Sequence, residues 1–286
     1  MGEQVCMTGA EYCDGAAVVD TCGYPVETTG NAVLDILEHR SSTRAFARDD
    51  NDRPVAVTDE QRAAILHAAS RAPSAGAMMM YSIVSIREHA TLDRLADLCD
   101  HQPMIAKAPW ALIFVVDYAK WIDLFEHVGC FEPEFVERTG KAPRRVPGLG
   151  DFAIAAQDAV IAAQNAVVGL GSCYIGDIVE NAEEVAELLD LPPYTMPLSM
   201  LIIGAPRKER PAIAHPVVNL VHEERYCRAD AATMDAQVAE MDAMFRPHAR
   251  EVGERVVDIY TRKHTSPFMA EMSRSMEWWF KNWLGK

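Results

Sequence analysis

The sequence contains no CxxC pair, although it has seven cysteines: Cys6, Cys13, Cys22, Cys99, Cys130, Cys173 and Cys227. Thiolate zinc and iron–sulfur sites usually need that spacing, so neither is expected and no metal site is assigned. An odd count in a chain of 286 residues suits free thiols in a reducing compartment better than a disulfide framework. The GxxxxGK[ST] phosphate loop, the HExxH zinc helix and the GxSxG elbow are all missing. No apolar run approaches the ~20 residues of a membrane span. Positive charge is scarce, with 27 Lys and Arg against 42 Asp and Glu, a net charge of −15. Such a field repels nucleic-acid backbones and anionic membranes, so neither is expected as a partner. The N-terminal residues lack the basic and apolar regions of a signal peptide, and a soluble, cytoplasmic protein is expected.

What is present has the composition of a globular protein, with 49% hydrophobic and 24% charged residues. Residues 1–30 have little periodicity and are expected to be an extension. NAVLDILEHR, with Val33, Leu34, Ile36 and Leu37, predicts a short amphipathic helix. Thr58 and Gln61 form a capping-box pattern, and the helix they open carries Ile65, Leu66, Ala68 and Ala69 until Pro73 ends it. Strands are predicted at Tyr81–Ile86, at WALIFVVD ending in Asp117, and at LSMLIIGAP from Leu198. Helices are predicted over Thr91–Cys99 and Tyr118–Val128, and Asn181 with Glu184 predicts a further N-cap. The spacing predicts the longest helix over Asp151–Leu170. Its polar residues Gln157, Gln164, Asp158 and Asn165 form a narrow stripe, which implies burial nearly all round, in a core or at a subunit interface. From about Thr233 the chain is predicted helical, with Met272, Met276, Trp279 and Trp283 on one packing face. Strands separated by helices suggest a mixed α/β sandwich.

Three segments could hold a ligand. In RSSTR, Arg40 and Arg44 flank the hydroxyls of Ser41, Ser42 and Thr43. At a helix end or tight turn both guanidiniums could converge on one anion, and the planar fork of Arg grips phosphate through two bonds. Two surface arginines beside serines are also common. In APSAG, Pro73 stops a helix, and Gly76 and Ala77 leave room for backbone to approach a flat ligand; a plain helix-to-strand turn is the simpler reading. In GSCYIGDI, Gly171 and Gly176 could leave amides facing a ligand, or could simply stop a helix and pack as a turn. Gly148, Gly150 and Ala153 spell GxGxxA, but the preceding KAPRRVP cannot be the strand a dinucleotide site requires.

Taken in order, these pieces resemble the nitroreductase family of FMN-dependent oxidoreductases. RSSTRAF resembles its opening R-x-S-x-[RK]-x-F motif, APSAG its A-P-S-x-x-N segment, and VHEERY its late V-H-E-N-x-Y motif. IAAQNAVVGLGSCYIGDIVEN is similar to its long interface helix and the glycine turn that follows. The C-terminal IYTRKHTSPFMAEMSRSMEWW resembles an extension in one bacterial subgroup. The resemblance implies an α+β fold: a nitroreductase-like three-layer sandwich with a central, mostly antiparallel sheet, forming an intertwined homodimer. It divides the chain into an extension over 1–30, a flavin-binding domain over 31–230 and a helical extension over 231–286.

By motif position, the resemblance implies that Arg40, Ser41, Ser42 and Arg44 hold the FMN phosphate and nearby polar atoms. Pro73, Ser74, Ala75 and Gly76 would line the isoalloxazine ring, with Met78 or Met79 at the pocket and Met80 in the core. Gly176 and Asp177 would place main-chain amides near the reactive edge. The sequence departs from the family with Ala77 and Met79 where Asn and Gln are usual, and with His215 where a late arginine is frequent. NADH or NADPH would supply hydride, and a nitroaromatic, quinone or similar small-molecule acceptor would then take its place in a ping-pong cycle. The flavin carries that chemistry, so no catalytic side chain is assigned. Reductive dehalogenation, oxygen-dependent flavin chemistry, and a non-catalytic flavin-binding dimer are the alternatives.

Overall fold

A computed structural model describes residues 31–208, 218–245 and 251–286. In chain order its elements are α1 (Ala32–His39), α2 (Asp59–Ser70), β1 (Tyr81–Ile86), α3 (His89–Leu98), α4 (Pro103–Ala106), β2 (Trp110–Asp117), α5 (Ala119–His127), α6 (Pro133–Thr139), α7 (Leu149–Asn165), β3 (Gly171–Ile175), α8 (Ala182–Leu188), β4 (Thr195–Gly204), α9 (Ala231–Phe245), α10 (Glu254–His264) and α11 (Pro267–Trp283). They form two compact units, one of residues 40–208 and 270–286, the other of 31–39, 218–245 and 251–269.

The first unit is built on a four-stranded sheet ordered β1-β2-β4-β3, with every neighbouring pair antiparallel. β2 is central, and all eight of its residues are buried, as its unbroken apolar run requires. α7 packs across β1, β2 and β4, and α2 packs on α7. Ala155, Ala159, Ala162 and Ala163 line the inner side of α7, so small side chains let helix and sheet approach closely. α2 starts at the expected capping box: Gln61 N–H donates to Thr58 Oγ1 at 3.2 Å and Thr58 N–H to Gln61 Oε1 at 3.0 Å. The Met/Trp stripe of α11 belongs to this core. Trp279 and Trp283 are fully buried; Trp283 Nε1 donates to Gly148 O at 3.1 Å, and its ring meets Phe152 edge-on at 5.2 Å.

In the second unit, Asp230 caps α9 by accepting from Thr233 N–H at 2.8 Å. Asp242 accepts from the Gly253 and Arg255 amides at the start of α10, at 2.6 and 3.1 Å. The VHEERY segment places the His222 ring 4.7 Å from that of Tyr226. His215 and residues 1–30 lie outside the described residues.

The structure departs from the sequence reading in five places. The strand expected from Leu198 begins at Thr195 and runs through Pro197. The register shifts there, Phe114 facing Ser199 while Val115 faces Pro197, and a bulge is where a strand tolerates a residue without an N–H. GSCYI is a strand, β3, rather than a turn; Gly171, Ser172 and Cys173 are weak strand formers, and pairing with β4 imposes the conformation. α7 ends at Asn165, not Leu170, because two β-branched residues, Val167 and Val168, lead into Gly169 at φ 81°. Asn181 precedes α8 but does not cap it; its amide instead donates to Leu98 O at 2.8 Å. Finally, α7 is not buried all round within this chain. Asp158 of its polar stripe is turned inward and 3% exposed, whereas Leu149, Ile154, Val160 and Ile161 are exposed, Val160 by 54%.

Candidate functional site

The RSSTR segment starts at the residue after α1 and forms no helix or turn of its own. Ser42 bridges Ser172 in parallel, Thr43 N–H donates to Ser172 O at 2.8 Å, and Phe46 bridges Pro206 beyond β4. Extended backbone alternates sides. Thr43 is thus buried against β3, so closely that a Cβ on Gly171 would stand 2.6 Å from its hydroxyl oxygen, while Arg44 is exposed. Four extended residues span about 13 Å, so Arg40 and Arg44 are set apart along the backbone. Ser41 and Ser42 lie half-buried between them. The Arg40 guanidinium lies 5.4 Å from the centroid of the Tyr174 ring. Burial raises the Tyr174 hydroxyl above the ordinary phenol range, and Arg40 opposes that rise. Among the described residues neither Arg40 nor Arg44 pairs with a carboxylate, in a chain of net charge −15.

The APSAG loop is a shallow platform of small side chains. Pro73, Ala75, Gly76 and Ala77 are exposed, Met78 and Met79 half-buried, and Met80 is in the core. Gly76 has φ 59°, and Ala77 and Met79 also adopt left-handed backbone, at φ 56° and 48°. For residues carrying a Cβ that conformation costs roughly 1 kcal/mol each. The Ser74 hydroxyl turns inward, donating to Asp158 Oδ2 at 2.6 Å and accepting from Met79 N–H at 2.7 Å. Met80 N–H also points at Asp158 Oδ2, at 3.4 Å. On the far side Trp121 Nε1 donates to Met78 O at 2.8 Å. Beneath the loop, Lys120 Nζ donates to Tyr81 O at 2.6 Å. Burial lowers the Lys120 ammonium below its ordinary range, with Asp117 and Asp158 opposing; burial and then Asp158 raise the Tyr81 hydroxyl.

Gly176 and Asp177 open a short 3-10 turn, Gly176–Val179, at the C-terminal end of β3. Gly176 is exposed, and a Cβ there would meet nothing within 4 Å, so the turn faces open space. The Asp177 carboxylate accepts from Gln102 Nε2. Three residues on, Glu180 is 6% exposed, and among the described residues its Oε2 has no hydrogen-bond partner. Burial, followed by repulsion from Asp100, Asp177 and Glu271, pushes its carboxyl up to about 7. The folded chain therefore favours the protonated acid. That contribution to stability is complete below the ordinary carboxyl value of 4.5 and is lost as pH rises through about 7. Urea unfolding at pH 5 and pH 8 is expected to show a fall on the order of 1–2 kcal/mol, after allowance for solvent screening, that Glu180→Gln abolishes.

β3 thus carries the arginine segment along its side and the open turn at its end. Among the described residues no hydrogen bond, ion pair or ring contact joins these to the APSAG loop. The sequence reading named Thr43 without its burial, and assigned no site role to Asp158, Gln102 or Tyr174. Only Asp158 had a sequence signal, its place in the α7 polar stripe. The available chemistry is that of a binding site: guanidiniums and hydroxyls that no carboxylate holds among the described residues, a platform of small uncharged side chains, and an open glycine turn. A phosphate-bearing molecule with a flat ring fits those residue types.

Comparison with known proteins points the same way. The family model described as "Nitroreductase family" matches residues 37–205. The "FMN reductase [NAD(P)H]" of Bacillus subtilis (strain 168) is 31% identical over 210 residues, covering 72% of this chain and 79% of that protein. The "Oxygen-insensitive NADPH nitroreductase" of Salmonella typhimurium is 33% identical over 213 residues, covering 72% and 81%. Among solved structures, nitroreductase A from Vibrio parahaemolyticus superposes with a TM-score of 0.71 at 22% identity, covering 90% of this chain and 99% of that one, a likeness of fold.

Proposed function

Because this chain belongs to the nitroreductase family, and is on that ground a flavin-dependent oxidoreductase using FMN and NAD(P)H, we propose that it passes hydride equivalents to nitroaromatic, quinone or similar small acceptors in a ping-pong cycle. When bound, FMN supplies the redox chemistry by accepting hydride from the nicotinamide and releasing it to the acceptor.

The observation that carries the assignment of the site is the row of Arg40, Ser42 and Arg44 beside β3, unpaired with any carboxylate among the described residues. These residues and Ser41 bind the phosphate and the polar atoms next to it. Pro73, Ser74, Ala75, Gly76 and Met79 support the ring, with Ala77 and Met79 contributing packing rather than side-chain amide hydrogen bonds. The main chain at Gly176 and Asp177 faces the reactive edge and stabilises negative charge there. The exposed Ile154, Val160 and Ile161 of α7 support a homodimer in which a second copy covers this face.

Initial rates of NAD(P)H oxidation, measured with a quinone over a grid of both concentrations, test the cycle. Parallel double-reciprocal lines are expected. Converging lines contradict the ping-pong order, and FMN-loaded protein that oxidises no NAD(P)H establishes the non-catalytic alternative.

A further inference from the structure

We infer that Asp158 is a positioning residue: through Ser74 it holds the loop from Pro73 to Met80 in the strained shape that receives FMN. The inference rests on the reading that this loop is the flavin platform.

The loop does not sit in a relaxed conformation. Three residues in four, Gly76, Ala77 and Met79, have left-handed backbone, and two of these carry a Cβ. Strain of this kind persists only where surrounding structure holds it in place. Part of the restraint is local, since Ala77 N–H donates to Ser74 O and Tyr81 N–H to Met79 O, at 3.1 and 2.7 Å. Such bonds move with the loop and cannot anchor it. Three external contacts can. One is Asp117 N–H on Met80 O at 3.1 Å, and another is Trp121 Nε1 on Met78 O. The third, which acts on Met79 through Ser74, is Asp158 of α7, 84 residues away in sequence from Ser74.

The geometry makes Asp158 and Ser74 a relay. One carboxylate oxygen accepts from the Ser74 hydroxyl at 2.6 Å and from Met80 N–H at 3.4 Å. With its proton committed to Asp158, the Ser74 oxygen presents its lone pairs to Met79 N–H at 2.7 Å. Met79 thereby keeps its φ of 48° and the platform its shape. At 3% exposed, Asp158 has little water to compete for these bonds, so hydrogen bonds to a charged acceptor are at their strongest. Lys120 lies nearby; burial lowers its ammonium below the ordinary range, and Asp117 and Asp158 oppose that. A buried carboxylate among the core-facing alanines of α7 is unusual, and anchoring the platform accounts for it.

The test titrates flavin-free protein with FMN by quenching of flavin fluorescence, alongside hydrogen exchange at the Met79 and Met80 amides of the same flavin-free samples. Asp158→Ala is expected to speed exchange at both amides and weaken FMN binding about 10- to 100-fold, as loss of a buried charged hydrogen-bond partner does. Asp158→Asn keeps the volume and one acceptor oxygen, and should recover most of the affinity. If the alanine variant unfolds, Ser74→Ala breaks the same relay and is expected to show the same faster exchange at Met79 and weaker FMN binding. Because the two residues act as one relay, Ser74→Ala combined with Asp158→Ala should bind FMN no more weakly than the worse single variant. Unchanged FMN affinity in Asp158→Ala or Ser74→Ala, or independent losses in the double variant, overturns the inference while leaving the flavin reading intact. Wild-type protein that binds no FMN overturns the flavin reading itself, and the positioning role with it.

Discussion

Replacing Trp279 with alanine is expected to lower the unfolding free energy by about 3–5 kcal/mol, the usual range for truncating a buried tryptophan. Trp279 is fully buried, its indole N–H donates to Val179 O at 2.9 Å, and Trp278 meets it edge-on at 5.0 Å. Truncation removes the packing and leaves the Val179 carbonyl without that partner. A domain is stable by only about 5–15 kcal/mol, so one substitution removes a large share. Val179 closes the turn that Gly176 and Asp177 open, so the site should loosen along with the core. Trp279→Phe keeps most of the packing and loses only the hydrogen bond, with an expected loss of about 1 kcal/mol beyond the smaller ring volume. Urea unfolding at two protein concentrations checks both variants. A loss under 1 kcal/mol for Trp279→Ala would mean that the α11 stripe does not stabilise its own chain.

Replacing Arg40 and Arg44 should have the largest effect on ligand binding. A hydrogen bond to a charged group contributes roughly 1.5–3 kcal/mol, so each alanine variant should weaken FMN about 10- to 150-fold. Arg40→Lys should recover little, because an ammonium neither forms the planar fork nor stacks on Tyr174 as a guanidinium does. Both losses should shrink as salt is raised, since Arg44 is exposed and screened. Riboflavin, which lacks the phosphate, supplies the control. Its affinity should be nearly unchanged by either substitution, and an equal loss for riboflavin and FMN would remove the arginines from the phosphate.

What the sequence made legible, and what it hid, follows from how local each signal is. The Thr58–Gln61 cap, the apolar run of β2 and the Leu92, Leu95 and Leu98 stripe of α3 are complete within a few residues, and each forms where expected. β3 was hidden because its residues acquire strand structure from β4, a partner some thirty residues later. Pro197 concealed the first residues of β4, since a bulge in the pairing with β2 decides whether a proline is tolerated. The site behaved likewise. RSSTR was legible as a candidate for anion binding, but its path depends on Ser172 and Gly171 of β3. Asp158 was visible as a polar position and misread in direction, because a period of seven gives the stripe but not which side of the helix faces the core. Met80 was placed correctly in the core.

The most direct measurement is the visible spectrum of the purified protein together with the amount of FMN released per subunit on denaturation. A flavin absorption band with one FMN per subunit is the predicted result. A colourless protein that takes up no FMN when supplied with it would contradict the account.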